Sequence, residues 1–127
     1  MQLNRLILHN YLVFEGTCEF PLEVRLPNKN VIIIGGKNGA GKTSILESVR
    51  LCLYGAQGVN KKPGREYRNF LQSKINRNAL KASPNTKAYV ELQFVHDDKR
   101  RASSVTVRRT WSAGSDEDSL FLEVDGT

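Results

Sequence analysis

Val31-Ile32-Ile33-Ile34-Gly35-Gly36-Lys37-Asn38-Gly39-Ala40-Gly41-Lys42-Thr43-Ser44-Ile45-Leu46 carries the reading of this chain. From Gly36 to Thr43 it satisfies the pattern G-x-x-x-x-G-K-[ST], in which each fixed position has a mechanical reason. Glycines let the backbone curl until successive N–H groups point inward at a β-phosphate. Lys42 reaches β- and γ-phosphate oxygens, and the Thr43 hydroxyl is placed to ligate Mg²⁺. The motif requires a buried strand before it and a helix after it. Residues 31–34 are β-branched and continuous, which suits a strand covered on both faces. Beyond the loop, Ile45, Leu46, Val49, Cys52 and Leu53 recur at helical spacing, and Gly55 supplies a stop. The start of that helix adds its positive dipole end to the same anion site. A Gly-rich turn that binds nothing is the competing explanation; the Lys42-Thr43 pair and both correct flanks weigh against it. The stretch implies that the chain binds a nucleoside triphosphate.

The rest of the composition is that of an ordinary globular domain. At 127 residues, 39% hydrophobic and 25% charged, the chain fits one modest core. No apolar run is long enough to span a bilayer, and the N-terminus lacks a signal-peptide layout, so the cytosol is the expected compartment and no membrane partner is expected. Cys18 and Cys52 stand far apart in neither metal-like nor redox-like spacing. Cys52 falls on the apolar helix face and reads as a small core residue. Charge is unevenly spread: residues 61–109 carry 13 bases against four acids, and the remainder six bases against nine acids. That asymmetry suggests a surface facing a polyanion, with DNA the leading candidate, and a solvated basic face is the equally weighted alternative.

Alternation predicts an opening strand over residues 3–10, a bend over 11–16, and a second strand from Thr17 to about Leu26. Pro21 argues that this second strand lies at an edge or breaks. Residues 55–64 read as a loop and 65–82 as one helix, with Tyr67, Phe70, Leu71 and Ile75 at helical intervals. Residues 88–95, 103–111 and 120–124 alternate as an antiparallel meander, separated by turns over 96–101 and 113–119. Within it Gln93 reads as exposed, Trp111 as a packing residue, and Arg108 and Arg109 as pointing to opposite faces, so that at most one easily meets DNA phosphate. His9 and His96 have no catalytic arrangement. Asp125-Gly126 is a hairpin signal, and the chain reads as the N-terminal piece of a longer protein.

A phosphate-loop ATPase also needs an acid at the end of another buried strand. None of the acids after the loop follows a run of buried aliphatics, and Glu47 reads as solvent-facing. The segment has a binding cradle without hydrolytic machinery.

The stretch Leu6-Ile7-Leu8-His9-Asn10-Tyr11-Leu12-Val13-Phe14-Glu15-Gly16, followed by the loop, resembles the start of the SMC and SbcC class of chromosome and repair ATPases. There an Asn-aromatic bend between two strands precedes an Asn-Gly-x-Gly-Lys-[Ser/Thr] loop. Leu53-Tyr54-Gly55, Tyr67-Arg68-Asn69-Phe70-Leu71 and Ile75-Asn76-Arg77 are similar to the DndD-type ATPases of the bacterial DNA phosphorothioation system. One departure is Leu12, where repair ATPases of the class often carry a basic residue.

The resemblance implies an α/β fold: the N-terminal lobe of an ABC-type ATPase head spanning residues 1–127, with a mixed sheet, the loop helix and an antiparallel meander. It implies Asn38, Gly39, Ala40, Gly41, Lys42, Thr43 and Ser44 as nucleotide contacts, with Lys42 stabilising the γ-phosphoryl charge and Thr43 holding Mg²⁺. ATP and Mg²⁺ are the implied cofactors. The implied partners are duplex DNA through phosphate contacts, a second ATPase head that dimerises on ATP, and other DNA sulfur-modification proteins. The remaining readings are a repair ATPase working with a nuclease and, less favoured, a small-molecule kinase, whose parallel sheet the meander does not match.

Overall fold

Leu6 and Leu8 are completely buried, and their alternation with Arg5, Ile7 and His9 sets the plane of the whole molecule. The computed structural model describes residues 2–21, 40–98, 101–115 and 118–125. The strand β1 (Gln2–Tyr11) turns through Leu12 and Val13 into β2 (Phe14–Pro21). The helix α1 (Ala40–Tyr54) follows, then a short 3₁₀ turn (Gln57–Val59) and the helices α2 (Arg65–Ser73) and α3 (Arg77–Ala82). Three strands complete the described chain: β3 (Lys87–Asp98), β4 (Arg101–Ser112) and β5 (Asp118–Val124). Among the described residues the molecule is mixed α/β, with one five-stranded sheet in the order β2-β1-β3-β4-β5.

All four strand pairings are antiparallel. The mixed sheet expected from sequence depended on a strand over residues 31–34, which lies outside the described residues. Pro21 is on β2, whose described partner is β1 alone, so its missing N–H costs no ladder bond on the open side. The second strand starts three residues earlier than expected, at Phe14. The expected long turn over 96–101 shrinks because β3 and β4 pair as far as Asp98 and Arg101.

The register stacks Leu6, Leu92 and Val107 in one row across β1, β3 and β4. Leu8, Val90 and Arg109 form the next row on the same face, and Ala88 faces Trp111 beyond them. Against this face lies α1, which buries Ile45, Ser48, Leu51 and Cys52. The buried stripe is rotated from the expected one: Leu46 is 60% exposed, while Leu51 is fully buried. Ser48 enters the core because its hydroxyl donates to the Ile45 carbonyl at 2.6 Å and brings no unpaired polar group with it. The Cys52 thiol fits between the Val90 and Val107 carbonyls at 3.6 and 3.3 Å, confirming its place in the core.

The single helix expected over residues 65–82 is broken. Ile75 leaves it to pair with Tyr11 in an isolated antiparallel bridge. Two backbone bonds flank the bridge, Leu12 N–H to the Lys74 carbonyl at 2.7 Å and Asn76 N–H to the Asn10 carbonyl at 2.8 Å. Asn76 then restarts the chain as the N-cap of α3, accepting from Ala79 N–H at 3.0 Å. Trp111 packs as expected, and its indole N–H donates to the Leu71 carbonyl at 2.8 Å, fastening α2 to the sheet.

Candidate functional site at the start of the loop helix

α1 opens at Ala40, inside the phosphate-loop motif, so its first turn carries Gly41, Lys42 and Thr43, with Ser44 following. That turn contains no acidic residue. A helix start carries N–H groups without intrahelical partners and a positive dipole end, and no carboxylate of its own first turn competes for an anion there. Asn38 and Gly39 lie outside the described residues, and for Ala40 to Ser44 the backbone position alone is described. A 15-residue helix begins within the motif.

One turn further along, Glu47 departs from its solvent-facing expectation. Its carboxylate meets Lys74 Nζ at 3.0 Å and accepts from the Tyr11 hydroxyl at 3.5 Å. Burial holds the Tyr11 hydroxyl far above its ordinary range, and the Glu47 charge pushes in the same direction. Glu47 thus links α1, the β1–β2 bend and the end of α2 at one point. By helical rise this point is about 6 Å along the axis from Thr43.

The bend is held open in an unusual backbone. Asn10 and Leu12 both have φ of 50°, a region that non-glycine residues seldom occupy. Asn10 offsets the strain by capping the turn: its side-chain oxygen accepts from Gly16 N–H at 2.8 Å, and its amide donates to the Lys87 carbonyl at 3.2 Å. Asn76, only 5% exposed, donates from its amide to the Leu12 carbonyl at 2.7 Å. Beside this pinned backbone lies a groove of about 440 Å³, lined by Leu12 and Val13 from the bend and Ser73, Ile75, Asn76 and Arg77 from the α2–α3 link. Sequence reading missed Asn76, Lys74 and Glu47. No local signal marked them: Asn76 and its partner Leu12 lie 64 residues apart in sequence.

The other candidate residues fall away from this end. Glu91 is 4% exposed on the sheet face away from α1. Arg108 Nη2 meets its Oε1 at 2.7 Å, and Gln93 donates to its Oε2 at 2.7 Å, so Gln93 is half-buried and not the exposed residue expected. Arg109, beneath the end of α1, donates to the Leu51 carbonyl at 3.0 Å and pairs with Asp118 at 3.4 Å. Alternation does place the two arginines on opposite faces, and each meets a protein partner, Arg108 the Glu91 carboxylate and Arg109 the Leu51 carbonyl and Asp118. His9 stacks on Tyr89 at 4.8 Å and bonds to Thr17; desolvation and nearby Arg108 hold its pKa below the ordinary value.

A family model described as AAA domain, AAA_23, matches residues 5–125. The match spans nearly the whole chain, which therefore belongs to this family of SMC-like phosphate-loop ATPases. ATP binding and ATPase activity, with Mg²⁺ as the usual companion ion, are general properties of the class. Among the described residues, no helix is long and apolar enough to cross a membrane.

Proposed function

We propose that this chain is the ATP-binding lobe of a DNA-associated ATPase of the DndD kind, acting in the phosphorothioate modification of DNA. The observation that carries the nucleotide part is the start of α1 inside the motif, with an acid-free first turn. In this reading the backbone N–H groups of residues 38–44 cradle the phosphates, Lys42 neutralises the γ-phosphoryl oxygens, and Thr43 ligates the ion. Mg²⁺, when bound, spreads the charge of the β- and γ-phosphate oxygens. The groove beside Leu12 and Asn76 receives the nucleoside end. Glu47 ties that groove to the helix carrying the loop, and the groove offers apolar walls with a few polar groups. Leu12 contributes apolar contact there and a fixed backbone, with no side-chain charge. A second head of the same kind would complete the hydrolytic site, and duplex DNA and the other sulfur-modification proteins are the proposed partners.

Calorimetric titration of Mg·ATP and Mg·GTP into the wild-type chain and into Lys42→Ala tests the cradle. Binding by the wild type and its loss in the variant is the expected result. Equal affinity in both would remove Lys42 from the site. For the sulfur-modification role, the full-length protein carrying Lys42→Ala should leave cellular DNA without phosphorothioate linkages, read by digestion and mass spectrometry. Unchanged linkage levels would reject that role while leaving nucleotide binding intact.

A further inference from the structure

The positive charge of this chain is concentrated in one structural unit. Residues 61–87 hold eight bases and a single acid, Glu66, whereas the remaining eleven bases and twelve acids leave the rest of the chain at −1. Those 27 residues build α2, α3 and their flanks. On the described strands, in contrast, each arginine meets an acid. Arg5 pairs with Glu19, Arg101 with Asp125, Arg108 with Glu91 and Arg109 with Asp118.

On the helical unit, Lys74 is taken up by Glu47. Lys62, Arg65, Arg68, Arg77, Lys81 and Lys87 are all exposed. On α2, the exposed Arg65 and Arg68 are three residues apart and so neighbours on the helix surface. On α3, Arg77 and Lys81 are four apart and again share a face. Exposed Asn69, Ser73, Asn78, Ser83 and Asn85 stand among the bases as neutral hydrogen-bonding groups. No large exposed apolar side chain other than Leu80 lies in this unit.

We propose that the α2–α3 unit is the surface on which this chain meets the phosphate backbone of double-stranded DNA. The inference rests on the DNA-associated reading above and assigns its place. Helix-borne bases interleaved with small amides and hydroxyls, and free of aromatic stacking groups, suit a duplex backbone, where contacts position without reading sequence. A single-stranded ligand calls for exposed aromatic platforms, and a membrane surface calls for an apolar helix face beside the bases. The groove at the bend shares Arg77 with this surface, so nucleotide and DNA would approach neighbouring sides of the same short segment.

The test measures binding of a labelled random duplex by anisotropy between about 50 and 200 mM salt, where the affinity falls with a log–log slope of about 0.9 per phosphate contact. The full chain is compared with Lys62→Gln/Arg65→Gln/Arg77→Gln/Lys81→Gln and with the sheet control Arg5→Gln/Arg101→Gln. The expected result is at least about tenfold weaker binding and a slope reduced by about 3 to 4 in the helical variant. The sheet control should bind like the wild type. Arg65→Lys/Arg77→Lys, which keeps the charge, should retain the wild-type slope, separating loss of contacts from misfolding. If the glutamine variant binds with unchanged affinity and slope, the surface is misplaced although the DNA reading stands. If the wild-type chain shows no salt-dependent duplex binding, the DNA reading fails and this surface with it. Variant-sensitive binding to phosphatidylserine vesicles without duplex binding would make the unit a lipid-facing surface and overturn the proposal.

Discussion

Lys74 and Glu47 form an ion pair of 3.0 Å that joins the end of α2 to the first half of α1, and the Tyr11 hydroxyl approaches the same carboxylate oxygen. Three segments far apart in sequence meet at one oxygen, one helical turn from the phosphate-loop threonine. The pair is partly exposed, at 21% and 31%, so its share of stability is only about 1 kcal/mol. Its larger consequence is positional.

Glu47→Ala should therefore lower the melting temperature by a few degrees and weaken Mg·ATP binding severalfold, because the groove loses its tie to the loop helix. Glu47→Gln, which still accepts from Tyr11, should fall between. Calorimetry on both variants checks this. Undiminished ATP affinity in Glu47→Ala would separate the groove from the nucleotide.

On the opposite sheet face, the Glu91–Arg108 pair sets a different kind of constraint. Glu91 is almost wholly buried, and Arg108 also lies 4.5 Å over the Tyr89 ring. Removing the arginine strands a buried carboxylate. Arg108→Leu should cost about 1 to 3 kcal/mol, because the guanidinium is 43% exposed and Gln93 still donates to the carboxylate, while Glu91→Leu/Arg108→Leu should recover most of it. Urea unfolding of the three proteins measures the difference. A double variant as unstable as the single one would show that packing, and not the stranded charge, dominates.

Strand identity was largely legible in the sequence because alternation survives wherever one face is buried. Val90, Leu92 and Val107 declare their side in this way, whereas the opening strand, apolar on both sides, does not. Sheet order was not legible. The pairing of Leu8 with Val90 joins residues 82 apart in sequence, and no local signal marks it. The helix stripe misled at Leu46 and Ser48, since apolarity and burial differ where a hydroxyl can satisfy itself on its own helix. The break at Ile75 was hidden for the opposite reason. Residues 65–82 have helical periodicity throughout, and the competing ladder with Tyr11 is a tertiary contact that overrides it. At the candidate site, glycine spacing and the Lys-Thr pair give the loop as an expectation, of which the described residues hold only the helix start at Ala40; the groove was not legible, because it exists only where the bend and the α2–α3 link are brought together.

Two glycines at the end of α1 differ in what they forbid. Gly55 terminates the helix with φ of 63°, and its N–H donates to the Leu51 carbonyl at 2.8 Å. A Cβ there would be strained and would sit 3.3 Å from the Arg109 guanidinium, so Gly55→Ala should cost about 1 kcal/mol. Gly58 has ordinary backbone angles, but a Cβ would run into the Arg50 carbonyl, which is fixed by the helix. Gly58→Ala should cost more than Gly55→Ala and should displace the 3₁₀ turn from α1. Thermal melts of the pair check the order, and the reverse order would mean that the turn relaxes freely.

The last prediction concerns the thiols and alkaline pH. Burial pushes Cys52 up to about 12, an effect that nearby Arg109 only partly opposes. Cys18 is half-exposed on β2. Iodoacetamide at neutral pH should thus label the folded chain at Cys18 and leave Cys52 unmodified until denaturant is added, as mass spectrometry would read. For stability the sign is set by which state releases its proton first. Above about pH 9 the unfolded Cys52 thiol ionises while the folded one keeps its proton, so the unfolded state is favoured as pH rises. Tyr11 and Tyr67 are also raised chiefly by burial and act in the same direction from their ordinary range near pH 10. Each such group adds a slope of at most about 1.4 kcal/mol per pH unit. Cys52→Ala, which removes one of these groups along with a buried sulfur, should be less stable at pH 7 but should lose stability more slowly than the wild type between pH 9 and 10. Parallel pH profiles in urea unfolding would contradict a protonated thiol beneath α1.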